Sequence, residues 1–233
     1  MRNKAVLVTG FEPYGGRGLN PAYEAMQALD GRTIAGLPVV GRGLPVSFAA
    51  LKPAISALLE EIDPAAVISL GLSPAEAVIR LERLAVNIVD YDIADNDGTL
   101  IADAAVTPAG AEARFATLPL RVIEQALLEA GIPARLSASA GTFLCNACLY
   151  WFLEALEKTP NPPPCGFVHL PYLPEQVAKL LLATRADKRI ERYGHDELAS
   201  MELSRIVAAV EIVVRHASAL SQTIKQDASS GSA

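Results

Sequence analysis

Cysteine and histidine are scarce in this 233-residue chain, three of each, and tryptophan occurs once. Three thiols cannot all pair with one another, which rules out a disulfide framework and leaves at least one sulfur free. With no export signal, such usage suits a reducing compartment where thiols serve catalysis or packing, and the cytoplasm is the expected location. A long apolar run is also missing. Hydrophobic residues make up 51% of the sequence, yet they come in short stretches broken by Gly, Pro and charge, far from the roughly 20 residues a membrane span needs. The opening Met1-Arg2-Asn3-Lys4 and the run Ala5 to Gly10 have a charged start, but the run is too short for a secretory core and no cleavage site follows it. It reads as a first strand. Nor is there an excess of positive charge: 20 Lys and Arg against 26 Asp and Glu give a net charge of −6, which argues against a phosphate-backbone ligand.

What is present is enough apolar material for one well-buried core, and short β-rich runs alternate with stretches at helical spacing. The pattern predicts an α/β fold, a three-layer α/β/α single domain over residues 1–220 with a mostly parallel or mixed central sheet. Strands are expected at Ala5 to Thr9, Val39 to Leu44, Ala66 to Leu70, Ile79 to Val89, Ala134 to Ser139 and Gly166 to Leu170. Helices are expected at about Pro21 to Leu29, Ala49 to Glu61, Leu118 to Ala130, Thr142 to Leu156, Pro174 to Thr184 and Met201 to His216. The last carries a stripe of Ile206, Val207, Val210 and Val214. Asp95-Asn96-Asp97-Gly98 favours a turn, because these residues tolerate left-handed geometry and bond their own backbone. The segment 221–233, rich in Ser, Ala, Gln and Gly, is expected to be a frayed or disordered tail. No internal repeat is visible.

Three side chains suggest chemistry. Cys145 falls where a strand ends, Gly141 allows a sharp turn and a helix begins. Unpaired N–H groups and the positive helix end there favour a thiolate and suit an oxyanion. A free cysteine is also an ordinary small hydrophobe. His169 ends the strand that follows, so a parallel sheet delivers it to the same edge, and a cysteine nucleophile needs such a base. His195, in a polar stretch, and His216, at a helix end, read as solvated or structural. Glu82 lies in a half-buried strand pattern, where it either orients an imidazole or pairs with Arg80 or Arg83. A rival grouping is Cys145, Cys148, Cys165 and His169 as a zinc or redox site. Against it, Cys148 lies a turn inside an apolar helix beside Leu149, Tyr150 and Trp151, where a small buried side chain is the simpler account.

Four segments together resemble the pyroglutamyl peptidase I (pyrrolidone carboxyl peptidase) family of cysteine peptidases. They are Val8 to Gly16 with Asn20-Pro21, Glu82 to Asn87, Ala140 to Asn146, and Phe167 to Gln176. The resemblance implies Cys145 as nucleophile, His169 as general base and then acid, and Glu82 as the group holding the imidazole in its productive tautomer. It implies hydrolysis of an N-terminal pyroglutamyl residue from small peptides through a thioester, with no metal or organic cofactor and no nucleic-acid or membrane partner. It also implies a homo-oligomer, commonly a tetramer. Phe11 and Tyr14 match the aromatic side chains that stack on the pyrrolidone ring. Departures fall at Leu72, where many bacterial members carry a glutamine able to contact the lactam, and at Glu76 in place of an arginine. Tyr14 replaces a phenylalanine, adding a hydroxyl able to replace a lost polar contact, and Ala138 replaces an asparagine. These departures leave room for a homologue that binds another small amide or no longer catalyses.

Overall fold

The computed structural model describes residues 4–74, 76–186 and 198–230. In chain order the strands are β1 (Val6–Phe11), β2 (Thr33–Ile34), β3 (Leu37–Leu44), β4 (Ala66–Leu72), β5 (Ile79–Glu82), β6 (Leu84–Val86), β7 (Val89–Tyr91), β8 (Ile101–Ala104), β9 (Ala113–Phe115), β10 (Ala134–Ser137) and β11 (Cys165–Leu170). The helices are α1 (Pro21–Leu29), α2 (Phe48–Ile62), α3 (Leu120–Glu129), α4 (Leu144–Leu156), α5 (Pro174–Ala186) and α6 (Leu203–Ser230). Seven strands form the central sheet in the order β10-β5-β11-β4-β1-β3-β2. β11, β4, β1 and β3 run parallel, while β5 meets β11 antiparallel and β10 runs parallel to β5. The sheet is therefore mixed.

Strands β1, β4 and β11 are buried at every position, as expected of central strands covered on both faces. One face presents Val6, Val8, Ile68, Leu81 and Val168 to residues of α1, α3 and α6; the other presents Leu7, Val67 and Phe167 to α2 and α4. Helix starts are set locally. Asn20 caps α1 by accepting from the Ala22 N–H, with Pro21 at the first helical position, and Ser47 caps α2 by accepting from the Ala50 N–H. The turn at residues 95–98 forms as expected, with Asp95 Oδ1 accepting from the N–H groups of Asp97 and Thr99 and Gly98 at φ +80°.

Two expectations change. The single strand read over Ile79 to Val89 is three: β5 stays in the main sheet, β6 pairs with β9, and β7 pairs with β8. Side chains take over backbone hydrogen bonds there, since Asn146 accepts from the Val86 N–H and donates to the Val86 and Ile88 carbonyls. A two-residue alternation carries no mark of that departure. At the other end, α6 continues to Ser230 instead of fraying from Ser221. Ser218 and Ser221 are buried, and Ser218 donates to the Val214 carbonyl. Small polar side chains that satisfy themselves on their own helix pack as closely as alanine. Residues 231–233 of the expected tail, and His195, lie outside the described residues.

Candidate active site

Alternation along two paired strands aligns the chemistry. On β11, Phe167 and His169 face α4 while Val168 and Leu170 face away, and on β5 Arg80 and Glu82 share the α4 side. The antiparallel register sets Phe167 opposite Glu82 and His169 opposite Arg80. From there the His169 Nδ1–H donates to Glu82 Oε1 at 2.8 Å, and Glu82 is fully buried. The bland alternative for Glu82 is also realised, since Arg80 Nε lies 3.3 Å from the same oxygen. One carboxylate serves both partners. The Phe167 ring packs 4.9 Å from the imidazole, centroid to centroid, and limits its rotation.

On the other side of β11, His169 is paired with Gly71 of β4. Gly71 is the floor beneath the thiol: a Cβ placed there would lie 2.8 Å from Cys145 Sγ and 2.7 Å from Phe167 Cζ. The sulfur thus sits over the residue next to His169 across one strand spacing, about 4.8 Å. Cys145 is the second residue of α4, after Phe143 at the N-cap. The expected thiolate-favouring helix start is outweighed. Burial pushes the Cys145 thiol up, the neighbouring Cys148 and Glu82 add to this, and only a backbone hydrogen bond lowers it. Burial thus works against the thiolate, and the thiol is served by a base close by.

Cys145 and His169 line one cavity of about 460 Å³, together with Tyr14, Leu72, Arg80, Tyr91 and Phe143. Beside the thiol a much smaller recess, about 10 Å³, is walled by Phe11, Tyr14, Asn20, Val46, Leu72, Phe143 and Leu144. Thus Phe11, Tyr14 and Leu72, expected at the substrate, all gather around Cys145. The Tyr14 and Phe143 rings lie 5.8 Å apart, and Tyr91 meets Phe143 edge-on at 4.6 Å. Burial, with Cys145 next, pushes the Tyr14 phenol up to about 12, against the lowering by Arg17. Tyr14 is a hydrogen-bond donor at neutral pH. Glu76 pairs with Arg80 and Arg135.

Sequence reasoning missed Gly71, Tyr91 and Phe143, and gave Arg80 only as a rival partner of Glu82. Phe143 was available as the aromatic next but one before the cysteine, whereas Gly71 gains meaning only from strand register. His216 donates to the Ile212 carbonyl within α6, a structural use. The zinc and redox grouping is not assembled. All three cysteines are free, and Cys148 and Cys165 are buried. Among the described residues no group of three or more His, Cys, Asp or Glu side chains is arranged to hold a metal ion.

A thiol beside an imidazole that is oriented by a buried carboxylate, at the mouth of an aromatic recess, is the equipment of a cysteine hydrolase. Comparison with known proteins narrows the class. The pyroglutamyl peptidase family model matches residues 4–220. The pyrrolidone-carboxylate peptidase of Pyrococcus furiosus is 39% identical over 214 residues, covering 90% of this chain and 97% of the relative. That of Enterobacter sp. strain 638 is 37% identical, covering 90% of each. The solved pyrrolidone carboxyl peptidase of Thermococcus litoralis superposes with a TM-score of 0.82 at 38% identity, covering 92% of this chain and 93% of that one. The chain belongs to the pyroglutamyl peptidase family of cysteine omega peptidases, which remove N-terminal pyroglutamate.

Proposed function

We propose that Cys145 is the nucleophile of this peptidase, with His169 as its base and then acid and Glu82 as the carboxylate that orients it. The observation that carries the reading is the 2.8 Å bond from His169 Nδ1 to the buried Glu82, on a ring whose strand neighbour is the glycine under the sulfur. With Nδ1–H committed to Glu82, Nε2 is the nitrogen left to take the thiol proton. As it does, the S–C bond forms at the pyroglutamyl carbonyl and the oxygen becomes an oxyanion. The unpaired N–H groups in the first turn of α4 are its donors. Collapse breaks the C–N bond, His169 Nε2–H passes its proton to the leaving amine, and a thioester remains. Water, deprotonated by Nε2, then cleaves the thioester and restores the thiol.

Phe11, Tyr14 and Leu72 form the walls for the flat ring, and the Tyr14 hydroxyl offers the lactam a polar partner. Leu72 supplies only apolar contact. The substrate is a small peptide with a blocked N-terminus. Three unpaired cysteines fit a cytoplasmic setting, and no described helix is long and apolar enough to cross a membrane. By family resemblance the working form is a homo-oligomer, a tetramer.

The test is release of nitroaniline from pyroglutamyl 4-nitroanilide, with alanyl and prolyl anilides as controls. Cleavage of the pyroglutamyl compound alone, abolished in Cys145→Ser, is expected. Cleavage of none of the three would overturn the substrate assignment, and an active Cys145→Ser would overturn the nucleophile.

A further inference from the structure

We propose that Arg80 is a positioning residue that ties the Glu82–His169 arm to the loop delivering the nucleophile; this rests on the roles given above to Glu82 and His169. Arg80 stands opposite His169 in the β5–β11 register, on the same face, and its side chain is 22% exposed. Its fork reaches three structures at once. Nη2–H groups donate to Ser137 Oγ at 2.5 Å and to the Ser139 carbonyl at 2.8 Å. Nη1–H donates to Glu76 Oε2 at 3.5 Å, and Nε lies 3.3 Å from Glu82 Oε1 as an ion pair without hydrogen-bond alignment.

Ser139 opens the turn that leads through Gly141, at φ +77°, into α4 and Cys145. Ser139 Oγ accepts from the Gly141 N–H at 3.1 Å, so the carbonyl that Arg80 grips belongs to the residue bracing that turn. At the far end Glu82 has one oxygen shared between the imidazole and Arg80, while Oε2 is buried with no partner. A buried carboxylate that underfilled needs a fixed cation close by. Among the described residues Arg80 is the side chain that contacts both Glu82 and the 137–141 turn. A guanidinium presents five donors in a rigid plane and serves these directions together; an ammonium is a single point charge on a flexible stem.

The expected signature lies in kcat. Arg80→Lys and Arg80→Gln should lower kcat on pyroglutamyl 4-nitroanilide by about 10- to 100-fold, the range for misplaced catalytic groups. KM should stay within about threefold, because uniform ground-state binding is untouched. Millimolar guanidinium should restore part of kcat to Arg80→Ala, and methylammonium should not. In a Glu82→Gln background, Arg80→Gln should add little further loss, since both act through one imidazole. A kcat within twofold of wild type in Arg80→Gln, a change confined to KM, or losses that multiply fully with those of Glu82→Gln would overturn the proposal. Should Arg80→Ala fail to fold, Arg80→Lys, which keeps the charge, carries the kcat test. A fully active Glu82→Gln would instead sink the underlying triad reading, whereas an inactive Glu82→Gln beside an unaffected Arg80→Gln sinks this inference alone.

Discussion

Replacing Gly71 with alanine puts a single methyl group where three atoms already meet. The new Cβ would stand 2.7 Å from Phe167 Cζ and 2.8 Å from both Phe167 Cε1 and Cys145 Sγ. These distances are about 0.6 Å inside ordinary van der Waals contact, which begins near 3.4 Å. Gly71 has ordinary strand geometry, so the backbone accepts alanine and the whole effect is packing. Phe167 is fully buried and its ring packs at a tilt against His169, so it cannot yield without turning the imidazole. The thiol must rise, the ring must rotate, or both. Overpacking of this kind costs about 1–3 kcal/mol, which for a chain of this size lowers Tm by roughly 2–4 °C per kcal/mol. The functional loss should be larger in proportion, because a shift of about 1 Å between reacting groups costs on the order of 10²-fold in rate. Gly71→Ala should therefore retain a cooperative melt a few degrees lower while kcat/KM on pyroglutamyl 4-nitroanilide falls about 10- to 100-fold. Unchanged kcat/KM and Tm would refute the placement of the sulfur over Gly71.

Cys148→Ser separates the packed thiol from the reactive one: Cys148 is fully buried in the apolar layer of α4, so activity should stay within a fewfold of wild type while Cys145→Ser is inactive in the same assay. Equal inactivity of the two would revive the dithiol reading. The raised Cys145 thiol has a defined pH consequence. A pKa above the ordinary value of about 8.5 leaves the neutral thiol dominant at pH 7, so iodoacetamide labelling of Cys145, followed by peptide mass spectrometry in the substrate-free protein, should still be climbing at pH 9. A rate already on its plateau at pH 7 would mean a preformed thiolate–imidazolium pair.

How much of this was legible beforehand differs from residue to residue. Central strands β1, β4 and β11 are mostly apolar, broken only by Thr9, Ser69 and His169 and by glycines, and helices α1 and α2 carry Asn20 and Ser47 caps; these are local signals that a one-dimensional pattern retains. Residues 84–91 were not legible as two further strands, because their backbone partners come from Asn146, β8 and β9, all distant in sequence. The start of the expected tail misled for a related reason: Ser221 looks like a solvated residue until the surface that buries it is known.

By itself the sequence determined the alternating elements, the few residues equipped for thiol chemistry, and, through four motifs, their kinship. Tertiary structure alone decided that Glu82 serves His169 and Arg80 together, that Gly71 makes room for the sulfur, and that burial works against the Cys145 thiolate. The physical reason is that hydrogen bonds, steric exclusion and desolvation act across distances in space of a few ångström. Strand register, not chain separation, brings residues 71, 80, 82, 145 and 169 within that range.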